Sequence, residues 1–168
     1  PKAGDNNKLF VCLSGARVAS KNVLPHLQRW KWNSRFPGST LYLSDPSFRY
    51  NPQLSLGWYV GTKEKNWLKD LAEIIEIFAH KQGLSSSDVI LYGSSAGGFA
   101  SMKLTEIIEG AVAIAINPQT NVMMYIPSFV KSFLRSNFDT ENLGFNNDRL
   151  TIMNSNILSK NSKIFLFQ

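Results

Sequence analysis

Five short stretches of this chain are apolar with almost no interruption: residues 9–13 (LFVCL), 41–43 (LYL), 89–92 (VILY), 111–116 (AVAIAI) and 164–167 (IFLF). A strand with one wet face alternates apolar and polar side chains, whereas unbroken runs of this length suit strands covered on both faces, as in a parallel sheet under helices. Between the runs the period changes to that of a helix. Residues 66–81 place Trp67, Leu68, Leu71, Ala72, Ile74, Ile75 and Phe78 on one broad stripe, with Lys69, Glu73, Glu76 and His80 opposite and Gly83 as the stop. Residues 96–108 carry a second stripe (Phe99, Ala100, Leu104, Ile107, Ile108), and 121–137 and 149–158 are further helical segments. Residues 23–32 read as a helix with Pro25 in its first turn. The alternation of strand and helix predicts a three-layer α/β/α sandwich around a mostly parallel sheet.

A length of 168 residues is that of one domain, at about 150 residues each, and no repeat or linker divides it. Apolar residues make up 43% and charged ones 18%, which excludes a disordered chain, and no apolar run approaches the ~20 residues of a transmembrane segment. Cys12, the sole cysteine, lies inside an apolar run, so a buried, inert thiol is expected and a disulfide framework is excluded. No metal ligand set is expected either. The chain opens on Pro1 without an initiating Met and stops one residue after IFLF. The expectation is therefore a single domain over 1–168 that is cut short at its C-terminal end.

The net charge of +6 is unevenly placed. Residues 1–50 hold Lys2, Lys8, Arg17, Lys21, Arg29, Lys31, Arg35 and Arg49 against Asp5 and Asp45, while the remainder balances. Such asymmetry suits an anionic partner such as an acidic polymer, or simply a solvated face. With no continuous basic run and no recognition motif, a nucleic acid is not the expected partner.

Chemistry concentrates at Gly93-Ser94-Ser95-Ala96-Gly97-Gly98, directly after VILY and at the start of the second helical stripe. This is G-x-S-x-G in a strand, sharp turn, helix setting. The glycines are required sterically, because a nucleophile on a strained turn leaves no room for side chains two residues to either side. Ser95 is then the nucleophile and Gly93 and Gly97 the elbow. A phosphate loop is the competing use of such a turn, but the G-K-[ST] that would hold phosphate and magnesium is missing, as is G-x-G-x-x-G.

A serine that attacks a carbonyl needs donors for the oxyanion. Ala96 N–H, next after the nucleophile, is one; Gly15 or Ala16 N–H, in the loop after LFVCL, is the expected second. Asp45 and Gln119 end strands on the same sheet edge and are expected to contact substrate, with turn formation as the plainer role. Gly57-Trp58-Tyr59 is either an aromatic platform for sugar rings or buried loop packing. The general base is harder to find. His80 sits on a polar helix face, His26 lies near the start, and Asp139 and Asp148 follow no clear strand. The acid and His of a triad are expected beyond Gln168, in the order Ser, acid, His.

The elbow with Phe99, the downstream Ile116-Asn117-Pro118-Gln119, and the upstream Leu43-Ser44-Asp45 and Gly57-Trp58-Tyr59-Val60-Gly61-Thr62 together carry a resemblance. Over residues 9–125 the chain resembles the α/β-hydrolase-like proteins of bacterial capsule and surface-polysaccharide biosynthesis, capsular polysaccharide O-acetyltransferases among them. More distantly it is similar to the acetyltransferase component of accessory Sec systems. The resemblance implies an α/β-hydrolase-like fold with Ser95 as the acyl-carrying nucleophile. It implies an acyl donor such as acetyl-CoA bound as substrate rather than a resident cofactor, and a carbohydrate acceptor, which the basic first third suggests includes anionic polysaccharide. It also implies partner subunits of a polysaccharide assembly complex, and a bacterial cytoplasmic location with membrane association through those partners. Two functions follow: serine-dependent acyl transfer, as O-acetyltransferase or esterase, or a non-catalytic hydrolase-like module that binds polysaccharide or a partner.

Overall fold

The computed structural model describes residues 7–21, 23–144, 146–152 and 161–168. Strands β1 (Leu9–Leu13), β2 (Ser39–Leu43), β3 (Val89–Ser94), β4 (Val112–Ile116) and β5 (Lys163–Phe167) fall on the five apolar runs. They form one all-parallel sheet in the order β2-β1-β3-β4-β5. From β1 the chain steps outward to β2 and then returns to the other side of β1 for β3. The loops that leave β1 and β3 therefore diverge, which opens a crevice at their carboxyl ends, the topological switch point where open α/β sheets bind ligands.

Helices α1 (Ser47–Tyr50), α2 (Trp67–His80), α3 (Ala96–Thr105) and α4 (Pro127–Phe138) surround the sheet unequally. The side chain of Asn66 caps α2 by accepting the Leu68 N–H at 3.1 Å. Leu68, Leu71, Ala72, Ile75 and Ala79 then pack on Leu9, Val11, Leu13, Val89 and Leu91 as the main core. The buried stripe is narrower than the sequence pattern suggests. Ile74 and Phe78, each about 100° around the helix from the buried residue that follows it, are 49% and 38% exposed.

Helix α3 departs from its one-sided pattern in the other direction, because all of its residues are buried. It lies between the sheet and a second core of Leu56, Trp58, Val60, Val122, Phe133 and Leu134. Lys103 is kept inside by Glu106 and by the Asp148 carbonyl at 2.8 Å. The sheet face opposite α2 has a thinner cover, in which Phe36 packs on Phe10 and Tyr92 with ring centroids 5.0 and 5.9 Å apart. Beyond it Phe165 and Phe167 of the edge strand are half exposed.

Three expected helices change. Residues 23–32 are not helical: the His26 N–H donates to Ser44 Oγ (3.1 Å), the His26 carbonyl accepts from Ser14 Oγ (2.9 Å), and the Gln28 N–H donates to Ser14 Oγ (3.0 Å). These hydroxyls take the amide groups that a helix would pair internally, and only a 3-10 turn, Trp30–Arg35, forms after Arg29. The 121–137 segment is divided into a 3-10 turn, Val122–Met124, and α4, which starts at Pro127 where the missing N–H breaks a continuous helix. Residues 149–152 turn and form a bridge between Asn121 and Thr151, and the rest of the expected 149–158 helix lies outside the described residues. Among the described residues no helix is long and apolar enough to cross a membrane.

Candidate active site

Ser95 is the single residue between β3 and α3, with φ 53° and ψ −123°. This backbone conformation is costly for any residue with a Cβ and persists only where the surroundings over-determine it. They do so here: the Ser95 N–H continues the sheet onto the Ile116 carbonyl at 2.9 Å, and the Ser95 carbonyl starts α3 by accepting the Phe99 N–H at 2.9 Å. The elbow glycines are needed for approach. A Cβ on Gly93 would lie 2.3 Å from the Gly97 carbonyl, and one on Gly97 would lie 2.3 Å from the Leu13 carbonyl at the end of β1.

Gln119, placed by the loop after β4, meets Ser95. Its Oε1 accepts the Trp58 indole N–H at 3.1 Å, which fixes the amide orientation because an indole only donates. Its Nε2 is consequently turned to Ser95 Oγ at 3.2 Å. Trp58 and Tyr59 are wholly buried and both have left-handed φ, 52° and 61°. The aromatic pair is therefore packing and clamp, not an exposed sugar platform.

Asp45 is not brought to Ser95. It is 2% exposed, and its carboxylate accepts the Ser47 N–H and the Tyr59 N–H, each at 2.9 Å. Burial pushes its pKa up, partly offset by those hydrogen bonds. Both oxygens serve the backbone, the plainer of the two roles expected of it, and Asp45 also lines a hollow with Leu24, Pro25 and Arg49. The Tyr59 hydroxyl, its pKa raised well above the ordinary value by burial, accepts the Ser14 N–H at 2.6 Å and lies 2.9 Å from the Leu43 carbonyl. Asp45 thus acts at the site through Tyr59, which holds the loop after β1.

In that loop Gly15 lies beside Ser95; a Cβ there would be 3.7 Å from Ser95 Cβ, whereas Ala16 is exposed. The Gly15 N–H is already donated to Gln28 Oε1 at 2.9 Å. Ala96 opens α3, where the first N–H groups have no intrahelical acceptor. Arg29 follows Gln28 in left-handed conformation (φ 63°), and its Nη2 is 2.7 Å from Ser94 Oγ. Neither Gln28 nor Arg29 stands out in the sequence, because their partners lie far along the chain.

No histidine or carboxylate hydrogen-bonds Ser95 Oγ among the described residues. His26 packs edge-on to Phe48 with Nε2 buried and unpartnered, and burial lowers its pKa. His80 is exposed at the end of α2, Asp139 caps α4, and Asp148 lends its carbonyl to Lys103. Cys12 is buried in β1, its pKa pushed up to about 11 by that burial. Among the described residues no three His, Cys, Asp or Glu come together as a metal site.

No family model matches this chain, and no curated protein matches it. Solved structures do. The capsule O-acetyltransferase of Neisseria meningitidis serogroup A superposes with a TM-score of 0.59 at 21% identity, over 89% of this chain and 56% of that one. A mutant of that enzyme in complex with CoA gives 0.60 at 22% identity, over the same shares. The glycosylation-associated Gap123 complex of Streptococcus agalactiae gives 0.54 at 20% identity, over 68% of this chain and 20% of that one. The chain therefore spans about half the length of the O-acetyltransferase and a fifth of the Gap123 chain. The two neighbours are of the two kinds that the sequence resemblance named, and at this identity they establish a shared fold: a parallel α/β sheet flanked by helices, of the type seen in the capsule O-acetyltransferase.

Proposed function

We propose that this domain carries out Ser95-dependent acyl transfer, moving an acetyl group from a thioester donor to a hydroxyl of a bacterial surface polysaccharide. The observation that carries the reading is the Ser95 backbone, held at φ 53° on the strand-to-helix turn beside the β1/β3 crevice. The fold shared with a capsule O-acetyltransferase, one mutant of which was solved with CoA, supports the donor and acceptor classes. The likeness to a chain of the Gap123 complex supports partner subunits.

In this reading Ser95 Oγ attacks the thioester carbonyl and the Oγ proton passes to a base. Ala96 N–H and Gly15 N–H hold the oxyanion, and its collapse expels the thiolate, which takes the proton. The acceptor hydroxyl then gives its proton to the base and attacks the acyl-serine carbonyl, whose oxyanion occupies the same hole; collapse transfers the acetyl group and returns that proton to Ser95 Oγ. Gln119, oriented by Trp58, positions Oγ. The base and its acid come from the chain beyond Gln168, a proposal consistent with the 56% coverage of the neighbour. The Gly15 N–H must be released by Gln28 before a substrate oxygen can use it.

The test uses the full-length protein with acetyl-CoA, following thiol release and the mass of the peptide that contains Ser95. One acetyl group on that peptide is expected, and Ser95→Ala should lower turnover by about 10³-fold or more. A second reading, the non-catalytic binding module, is favoured by the Gln28 side chain seated on Gly15 N–H. No turnover in either protein supports that module; turnover unchanged in Ser95→Ala overturns the role of Ser95 and the module alike.

A further inference from the structure

Trp30 and Trp32 stand in water, 57% and 43% exposed, on a 3-10 turn that buries none of its residues. In a 3-10 turn side chains three positions apart eclipse, about 6 Å along the axis, so Trp32 and Arg35, both inside Trp30–Arg35, share one face. Arg29, the left-handed residue just before the turn, reaches the same indole, with its guanidinium carbon 5.8 Å from the Trp32 ring centre. The same guanidinium lies 5.3 Å over Tyr92 and bonds Ser94 Oγ at 2.7 Å, so it spans from Trp32 to the residue before Ser95. On the neighbouring face Lys31 Nζ is 5.6 Å from the Trp30 ring. Trp30 in turn lines a hollow of about 380 Å³ with Lys21 and His26.

The described residues of the first third leave this face a surplus of positive charge. Among the described residues up to position 50 the only acid is Asp45, which is buried with both oxygens on backbone N–H groups. Lys8 is paired with Asp88, and Arg17 is buried. Among the described residues Lys21, Arg29, Lys31, Arg35 and Arg49 have no carboxylate partner. An indole between two guanidinium groups complements a sugar ring that carries anions on either side: C–H groups on the ring face, phosphate or carboxylate on the forks.

We propose that the Arg29–Trp32–Arg35 face is the acceptor subsite and that it takes an anionic glycan. Calling it an acceptor subsite rests on the acyl-transfer reading; the binding itself does not. A single-stranded nucleic acid would use similar groups, but the face leads through Arg29 to Ser94 and Ser95, where a sugar hydroxyl has a role.

The experiment titrates the full-length protein with polygalacturonate oligomers, and separately with neutral dextran, polyglutamate and an oligothymidylate. Polygalacturonate should bind most tightly, and its affinity should fall as added salt shortens the screening length from about 10 Å at 0.1 M to about 3 Å at 1 M. Trp32→Ala should weaken it roughly tenfold, Arg35→Ala similarly, and Trp32→Tyr should recover part of the loss. Polyglutamate should not feel Trp32→Ala. Trp32 is exposed, so thermal melting should show these variants folded. Dextran equal to polygalacturonate, tighter binding of polyglutamate or oligothymidylate, no binding at all, or indifference to Trp32→Ala overturns the proposal. Ser95→Ala should leave glycan affinity unchanged. Loss of turnover in Ser95→Ala with unchanged affinity in Trp32→Ala removes the subsite and keeps the chemistry; the opposite pair does the reverse.

Discussion

Two regions meet at Ser95 and are held in different ways. On one side stands a wall made of Asp45, Trp58, Tyr59 and the end of β1. The Asp45 carboxylate takes two N–H groups, the Tyr59 hydroxyl takes the Ser14 N–H, and the Trp58 N–H holds Gln119; all four residues, Ser14 included, are at most 2% exposed. A buried donor left unpaired costs about 1–3 kcal/mol, so each member holds the next in place. On the other side residues 26–35 form an arc tied by hydroxyl contacts from Ser14 and Ser44 and by the half-exposed side chains of Gln28 and Arg29. The lesson is a division of labour. Groups that must keep an atomic geometry are buried and mutually dependent, while groups that meet solvent are held by contacts a ligand could replace.

The largest effect that would break this contrast is at the elbow. Gly97→Ala places a Cβ 2.3 Å from the Leu13 carbonyl, and backbone cannot rotate away as a side-chain tip can. We expect about 3 kcal/mol of lost stability in urea unfolding, from overpacking two backbones. Gly83→Ala is the control. Its φ of 72° carries a left-handed cost of about 1–2 kcal/mol, but nothing lies within 4 Å of the new Cβ. Equal losses at the two glycines would mean that close approach at the elbow is not what the sequence protects.

The same contrast explains what the sequence made legible. The five strands were readable because a covered parallel sheet needs unbroken apolar runs, and the elbow because its crowding admits only glycine at Gly93 and Gly97. Both are local consequences of packing. The arc was not readable: residues 23–32 have helical spacing, yet the hydroxyls of Ser14 and Ser44, 14 and 18 positions from the amides they take, decide their conformation. Gln28 reaches Gly15 across 13 positions with no pattern to mark it. Asp45 is legible only in part, for a related reason. Its place at a strand end is visible in the sequence, whereas the Tyr59 amide that uses it is 14 residues on. Ile74 and Phe78 show the remaining limit, since side-chain character alone does not say how wide a buried stripe is.

A smaller effect tests whether the arc is replaceable where the wall is not. Gln28 Oε1 sits on the Gly15 N–H, where the acyl oxygen would be held. A hydrogen bond of this kind contributes about 0.5–1.5 kcal/mol net, so Gln28→Ala should change stability by little more than that. Freed of a competing acceptor, the donor should speed labelling of Ser95 by a fluorophosphonate in the full-length protein about two- to tenfold. Slower labelling would mean that Gln28 instead positions the loop, and would move it from the arc to the wall.

The smallest effect lies at the opposite end of the sheet and separates site from frame. Lys8 and Asp88, which flank the amino ends of β1 and β3, form an ion pair at 2.7 Å with side chains 43% and 26% exposed. Hydrogen bonds from Lys8 and then from Ser85 hold the Asp88 carboxyl down at about 2, below the ordinary 3.8. A carboxyl lowered on folding stabilises the protein at pH values above its unfolded pKa, and that contribution fades as pH falls from about 4 through about 2. Solvent screening keeps it small. Urea midpoints measured between those pH values should therefore decline in the native protein and decline less in Lys8→Met. The variant should leave Ser95 labelling at neutral pH unchanged, because nothing in the wall or the arc touches this pair. A change in labelling would show that strain at the amino end of β1 reaches Gly15 through the strand, and the wall would then have to be extended down the whole of β1.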